Sequence, residues 1–170
     1  MIDLEKYVGP SEAREAIRLY RDAINRIKLL RRTAFPRWSD GLTVWFAADS
    51  PLVHRVDFLT YDEHELAIYR DARDILCESV RLNPYNPDAF ILLGNACQEI
   101  DGDLSSMLFY YNLAISLDPN NDEFYNCRMA YFLATNNLPL ALIDLEHLDR
   151  LHSEYAESKR MHYEKAMTER

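Results

Sequence analysis

The chain has 170 residues, 48 % of them hydrophobic, which suits one packed domain and argues against a disordered chain. Only four are glycine, and no apolar run approaches the ~20 residues that cross a bilayer, so a helical, non-membrane protein is expected. The net charge of −9 is unevenly spread: residues 1–37 hold nine Lys/Arg against five Asp/Glu, a net +4, and residues 38–170 hold ten against 23, a net −13. Phosphates would be repelled by such a body, which argues against bulk nucleic-acid binding.

Residues 1–10 start acidic and lack an apolar signal core, so the expected location is the cytoplasm. Cys77, Cys97 and Cys127 are odd in number, widely spaced and without a C-x-x-C pair. They are expected to be small buried apolar side chains, with no disulfide framework and no metal site.

Residues 11–33 read as an amphipathic helix. Ser11 can cap it, Glu12 and Glu15 suit its first turn, Arg31 and Arg32 its last, and Pro36 stops it. Ala13, Ile17, Tyr20, Ile24 and Ile27 form an apolar stripe. Beside it Arg14, Arg18, Arg21, Lys28 and Arg32 fall on one line, with Asn25 in the gap. The apolar stripe is expected to dock on the acidic body of this chain or of a second copy, a homodimer, with Arg14, Arg18 and Arg21 near its carboxylates. The alternative is that this helix is the docking element for RNA or a membrane surface.

Residues 38–50 form an aromatic connector, with Trp38, Trp45 and Phe46 among the breakers Asp40 and Gly41. A helix can begin near Ser50-Pro51. Thr60 and Glu63 make a capping-box pattern for the next, which should run to about Leu82.

From there the sequence is periodic. ESVRLNPYNPDAF at 78–90 parallels LAISLDPNNDEFY at 113–125, and aligning Pro84 on Pro119 gives a period of 35. Proline just past a helix end blocks continuation, and Asn or Asp supports the tight turn into the next helix.

These phrases resemble the tetratricopeptide repeat family, whose usual period is ~34 residues. Over 87–121 Phe90 takes the first aromatic position, Leu93-Gly94 the Leu-Gly pair, Ala114 the last small position and Pro119 the closing proline. Gly102-Asp103 takes the turn one residue late, and Met107 and Cys97 replace the family's Ala and Tyr. Residues 122–153 fit more loosely: Tyr125, Phe132 and Ala141 match, while Asn136-Asn137 replaces the turn and Met129 the glycine. Tyr61–Leu82 matches a second helix, with Ala72 at its small position and a short partner at 51–59. The resemblance implies an all-α fold of tetratricopeptide-like antiparallel helix pairs in an α-α superhelix. About three pairs would cover 51–153, after an N-terminal extension at 1–37 and before a capping helix at 154–170.

It also implies a concave groove lined by the first helix of each pair. The positions carried over are Asp88, Ile91, Asn95, Gln98 and Glu99, then Glu123, Asn126, Ala130, Leu133 and Ala134. Amide donors, small apolar sites and an acidic rim suit a peptide or helix of another protein. Ile91 and Glu123 stand where adaptors for chaperone tails carry lysine, which argues against a carboxylate clamp. PYNPDAFILLGNACQ and the layout are similar to type III secretion chaperones for translocators, from which the basic helix and tryptophan connector depart. No phosphate loop, nucleophile elbow or paired-histidine motif occurs, and Asp71, Asp74, Glu78, Asp144, Glu146 and Asp149 are spaced as solvated helix faces. The expected role is therefore non-enzymatic and cofactor-free: a scaffold, adaptor or partner-specific chaperone.

Overall fold

A computed structural model describes residues 9–34 and 61–168. The described residues are all-α, with seven helices and no strand: α1 (Pro10–Ala34), α2 (Glu63–Leu82), α3 (Pro87–Asp101), α4 (Leu104–Leu117), α5 (Asp122–Ala134), α6 (Leu138–Arg150) and α7 (Ala156–Thr168). α1 packs along α2, α3 along α4 and α5 along α6, and successive pairs join through α2–α3 and α4–α5. α7 lies against α6 and α5.

Local chemistry sets the boundaries. α2 starts with a capping box, but its members are Asp62 and Glu65 rather than the expected Thr60 and Glu63; Thr60 lies outside the described residues. Pro87 occupies the first turn of α3, and Gly102 ends it in the left-handed conformation at φ 67°. Asp103 then caps α4 by accepting from the Ser105 and Ser106 amides. Asn136 takes the left-handed turn before α6, at φ 56°. Asparagine tolerates that conformation better than most residues, so Asn136 can stand where the resemblance expected glycine.

The connector at 38–50 and the expected partner helix at 51–59 lie outside the described residues. Among the described helices, α1 packs along the length of α2. Ser79 Oγ, late in α2, donates to the Ala16 carbonyl, early in α1, at 2.8 Å, while Arg26 reaches Asp71, so the two helices run antiparallel. α1 buries Ala13, Ala16, Ala23, Ile27 and Leu30, with Tyr20 and Ile24 partly covered. Ile17 departs from expectation: it is 40 % exposed, because the small alanines bring α1 close along a line that leaves Ile17 at its edge.

The core runs through all three pairs. Phe90, Leu93 and Ala114 are buried as expected, and Leu117 only partly. Tyr111, Tyr125 and Phe132 are buried, with Tyr110 and Tyr131 packed against them. The cysteines do not share one environment. Cys127 is buried and its thiol pushed up to about 12 by desolvation, Cys97 is half-buried, and Cys77 is exposed on the outer side of α2. Asp144, expected on a solvated face, is fully buried because Arg128 of α5 pairs with it.

Gly94 marks the closest approach of α3 to α4. A Cβ there would lie 2.9 Å from the Tyr111 ring and 3.1 Å from the Met107 carbonyl oxygen. Neither can yield cheaply, since Tyr111 is fully buried and bonded to Asn95. Gly94→Ala should therefore lower the thermal midpoint, overpacking of ~1–3 kcal/mol outweighing a helix-propensity gain of ~1 kcal/mol. Leu93→Ala should cost ~2–5 kcal/mol in denaturant unfolding. A parental melting curve for Leu93→Ala would contradict the packing described.

Candidate binding surface

The groove positions divide into those turned inward and those left available. On α3, Ile91 and Asn95 are fully buried, Asp88 and Gln98 are half-buried, and Glu99 is half-buried as a residue but with its side chain covered. On α5, Glu123, Asn126, Ala130 and Leu133 are half-buried and Ala134 is exposed. Asn95 accepts a hydrogen bond from the Tyr111 hydroxyl, which occupies its oxygen inside the α3–α4 pair. Among the described residues its Nδ2 has no hydrogen-bond partner, nor does the buried Oε1 of Gln98 one turn further on.

Glu99 has an internal task. It accepts from Arg31 Nη2 at 2.9 Å and from the Tyr61 hydroxyl at 2.6 Å. The side chains of Arg31 and Glu99 are only 5 % and 1 % exposed. Burial alone would lower the Arg31 pKa, but the Glu99 carboxylate together with the Tyr69 and Tyr61 hydroxyls outweighs it and keeps the guanidinium charged. The same burial, reinforced by Glu99, raises the Tyr61 and Tyr69 hydroxyls.

Asp88 and Glu123 sit in the first turns of α3 and α5, and Tyr20 of α1 faces both. Desolvation raises both carboxyls, helped by Asp118 at Asp88 and by Asp88 and Asp122 at Glu123. Residues 82–127 contain seven Asp/Glu and no Lys or Arg, so this part of the chain supplies no cation of its own.

The cations of α1 do not fill that need. Arg14, Arg18, Arg21 and Arg32 are exposed and Lys28 half-buried. Arg18 pairs with Glu15 of its own helix at 2.6 Å rather than with the repeats. Among the described residues, the α1 cations that cross to other helices are Arg26, to Asp71, and Arg31, to Glu99. Reading the sequence for a basic line missed both; the signal available for Arg31 was its place four residues after the buried Ile27.

A second polar cluster joins α4, α5 and α6. Arg128 donates to both oxygens of Asp144, at 3.0 and 2.6 Å, and to Asn112 at 2.6 Å. Its guanidinium lies over the Tyr125 and Phe132 rings, and Tyr125 stacks on His147 at 4.5 Å. Burial, with help from Arg150, lowers the His147 pKa.

Comparison with known proteins finds no matching family model, no matching curated protein and no matching solved structure.

Removing one partner from the buried pair leaves an uncompensated charge, so Glu99→Ala should cost ~3–5 kcal/mol, and Arg31→Met/Glu99→Met together much less. A double-mutant cycle by urea unfolding checks this. Asp88 and Glu123 act in the opposite sense. Their folded pKa values are raised, so the folded state holds their protons more tightly and stability falls as they ionise with rising pH. Asp88→Asn and Glu123→Gln should therefore raise the midpoint at pH 7. The gain should shrink as pH falls through the raised folded values towards the ordinary carboxyl range near ~4.

Proposed function

We propose that this chain is a non-enzymatic protein-binding module of the tetratricopeptide type, an adaptor or scaffold that holds a peptide or helix of another protein. The ligand lies along the face shared by α3 and α5. The observation that carries this reading is an unanswered amide atom on α3, the Oε1 acceptor of Gln98, a residue that is only half-buried. Buried polar atoms without partners are rare and costly in folded proteins, and a ligand that answers them recovers that cost. A peptide backbone N–H is the complementary donor for that oxygen.

The neighbouring residues fit the same ligand. Asn126 on α5 offers a second amide, and Ala130 and Leu133 offer small apolar contacts, all half-buried. Asp88 and Glu123 form an anionic rim, so the bound segment carries Lys or Arg where it passes them. Ile91, Asn95 and Glu99 serve mainly as the floor, since packing, Tyr111 and Arg31 already engage them.

Affinity capture from native cells with the full chain as bait tests the reading. The parent should retain a protein partner that Gln98→Ala/Asn126→Ala loses, the loss being about tenfold for removal of two ligand hydrogen bonds. The variant should melt within a few degrees of the parent. Equal recovery of the same partner by the variant would exclude this face as the binding site.

A further inference from the structure

The two sides of α1 differ sharply. Its inner line is buried, whereas Arg14, Arg18, Arg21, Asn25, Lys28 and Arg32 share one outer sector of about 80° at 3.6 residues per turn, ~27 Å long. No acidic residue lies in that sector. Glu15, beside it, pairs with Arg18, and among the described residues no carboxylate lies within ion-pair distance of Arg14, Arg21 or Lys28. Ordinary solvated helix faces mix signs, as α2 does with Glu63, Arg70, Asp74, Glu78 and Arg81. Two large apolar side chains border the cationic row on opposite edges: Ile17, 40 % exposed, and Leu29, 65 % exposed.

We infer that this ridge is a docking strip for an acidic amphipathic helix of a partner protein, distinct from the α3–α5 face. The occupant follows from charge and shape together. A row of Glu or Asp flanked by apolar residues meets both the cations and the two exposed edges, and a helix of about 18 residues matches the strip's length. A phosphate backbone would leave Ile17 and Leu29 unused. A long polyanion or an anionic membrane would also overrun the strip onto a body carrying −13. Among the described residues a second copy of the chain fits less well: α7 also mixes signs, and α6, where exposed Leu142 and Ile143 stand beside Glu146 and Asp149, offers two carboxylates to a row of five cations, with Asp149 already paired to Arg160.

The test uses the full chain and a synthetic helical peptide of about 20 residues, with Glu along one face and Leu on its flanks. Fluorescence anisotropy should show saturable binding that weakens as ionic strength rises from about 0.05 to about 0.3 M. A Gln-for-Glu peptide should bind about tenfold more weakly, and Arg14→Ala/Arg21→Ala/Lys28→Ala should lose a similar factor while keeping the parent's helical spectrum. Arg14→Glu/Arg21→Glu paired with a peptide in which Lys replaces only the Glu residues facing those two positions should restore binding, which a merely unfolded variant could not do. No saturable binding, equal binding by the triple variant, or failure of the charge swap would overturn the proposal. Tighter binding of a single-stranded RNA oligonucleotide or of phosphatidylserine vesicles than of the peptide would overturn it as well.

Discussion

The buried guanidinium of Arg31 is held by the Glu99 carboxylate. An unpaired ion in that position would cost several kcal/mol, so the last turn of α1 and the last turn of α3 must meet. Tyr61, just before α2, donates to the same carboxylate and draws the start of α2 into the junction. Helices behave as near-rigid rods at this length, so fixing one end of α1 also fixes its rotation. That rotation puts Ala13, Ala16, Ala23, Ile27 and Leu30 inside and the cationic row outside. A buried pair is a weak source of net stability compared with apolar packing. Its effect here is to select one arrangement of faces that apolar burial alone would leave less defined.

Each helix pair repeats this division of labour. Apolar side chains supply the driving force, and one buried polar bond fixes the register: Ser79 to Ala16 in the first pair, Tyr111 to Asn95 in the second, Arg128 to Asp144 in the third. The first two bonds use a backbone carbonyl and a neutral amide. The third buries a charge, and it is also the most heavily braced, by Asn112 and two aromatic rings. The bracing follows the cost: a desolvated ion needs its remaining hydrogens satisfied where a hydroxyl does not.

What the sequence made legible was local. Proline, Asn and Gly turn signals act within a few residues of the chain, so the starts and stops near Pro87, Gly102-Asp103 and Asn121 could be read directly. The close approach at Gly94 was also readable, since only a missing Cβ allows it. What escaped were long-range pairings. Nothing near Glu63 announces that the helix along α2 comes from residues 10–34, because the choice is made by surface fit across an intervening segment. For the same reason Asp144 looked like a solvent-facing acid and Glu99 like a groove-lining one. Their cations, Arg128 and Arg31, come from other helices, and periodicity carries no information about which helix arrives. For the groove positions, the resemblance could not tell Ile91 and Asn95, which are buried, from Gln98, which is only half-buried.

The same rotation of α1 explains why its cations leave Asp88 and Glu123 alone. It presents Tyr20 to those carboxylates, and Arg14, Arg18 and Arg21 lie on the opposite side of the helix. Cancelling the charges across the helix would require turning Arg31 out of its pocket and the alanine line away from α2. The two fields therefore persist side by side, separated by roughly one helix diameter of ~10 Å. That distance is close to the Debye length of ~8 Å at physiological ionic strength, so each surface acts on an approaching molecule largely by itself. An acidic segment is drawn to the outer ridge of α1 and repelled from the α3–α5 face, and a basic segment the reverse. One buried ion pair, by fixing a single helix rotation, thus keeps two surfaces of opposite sign from neutralising each other.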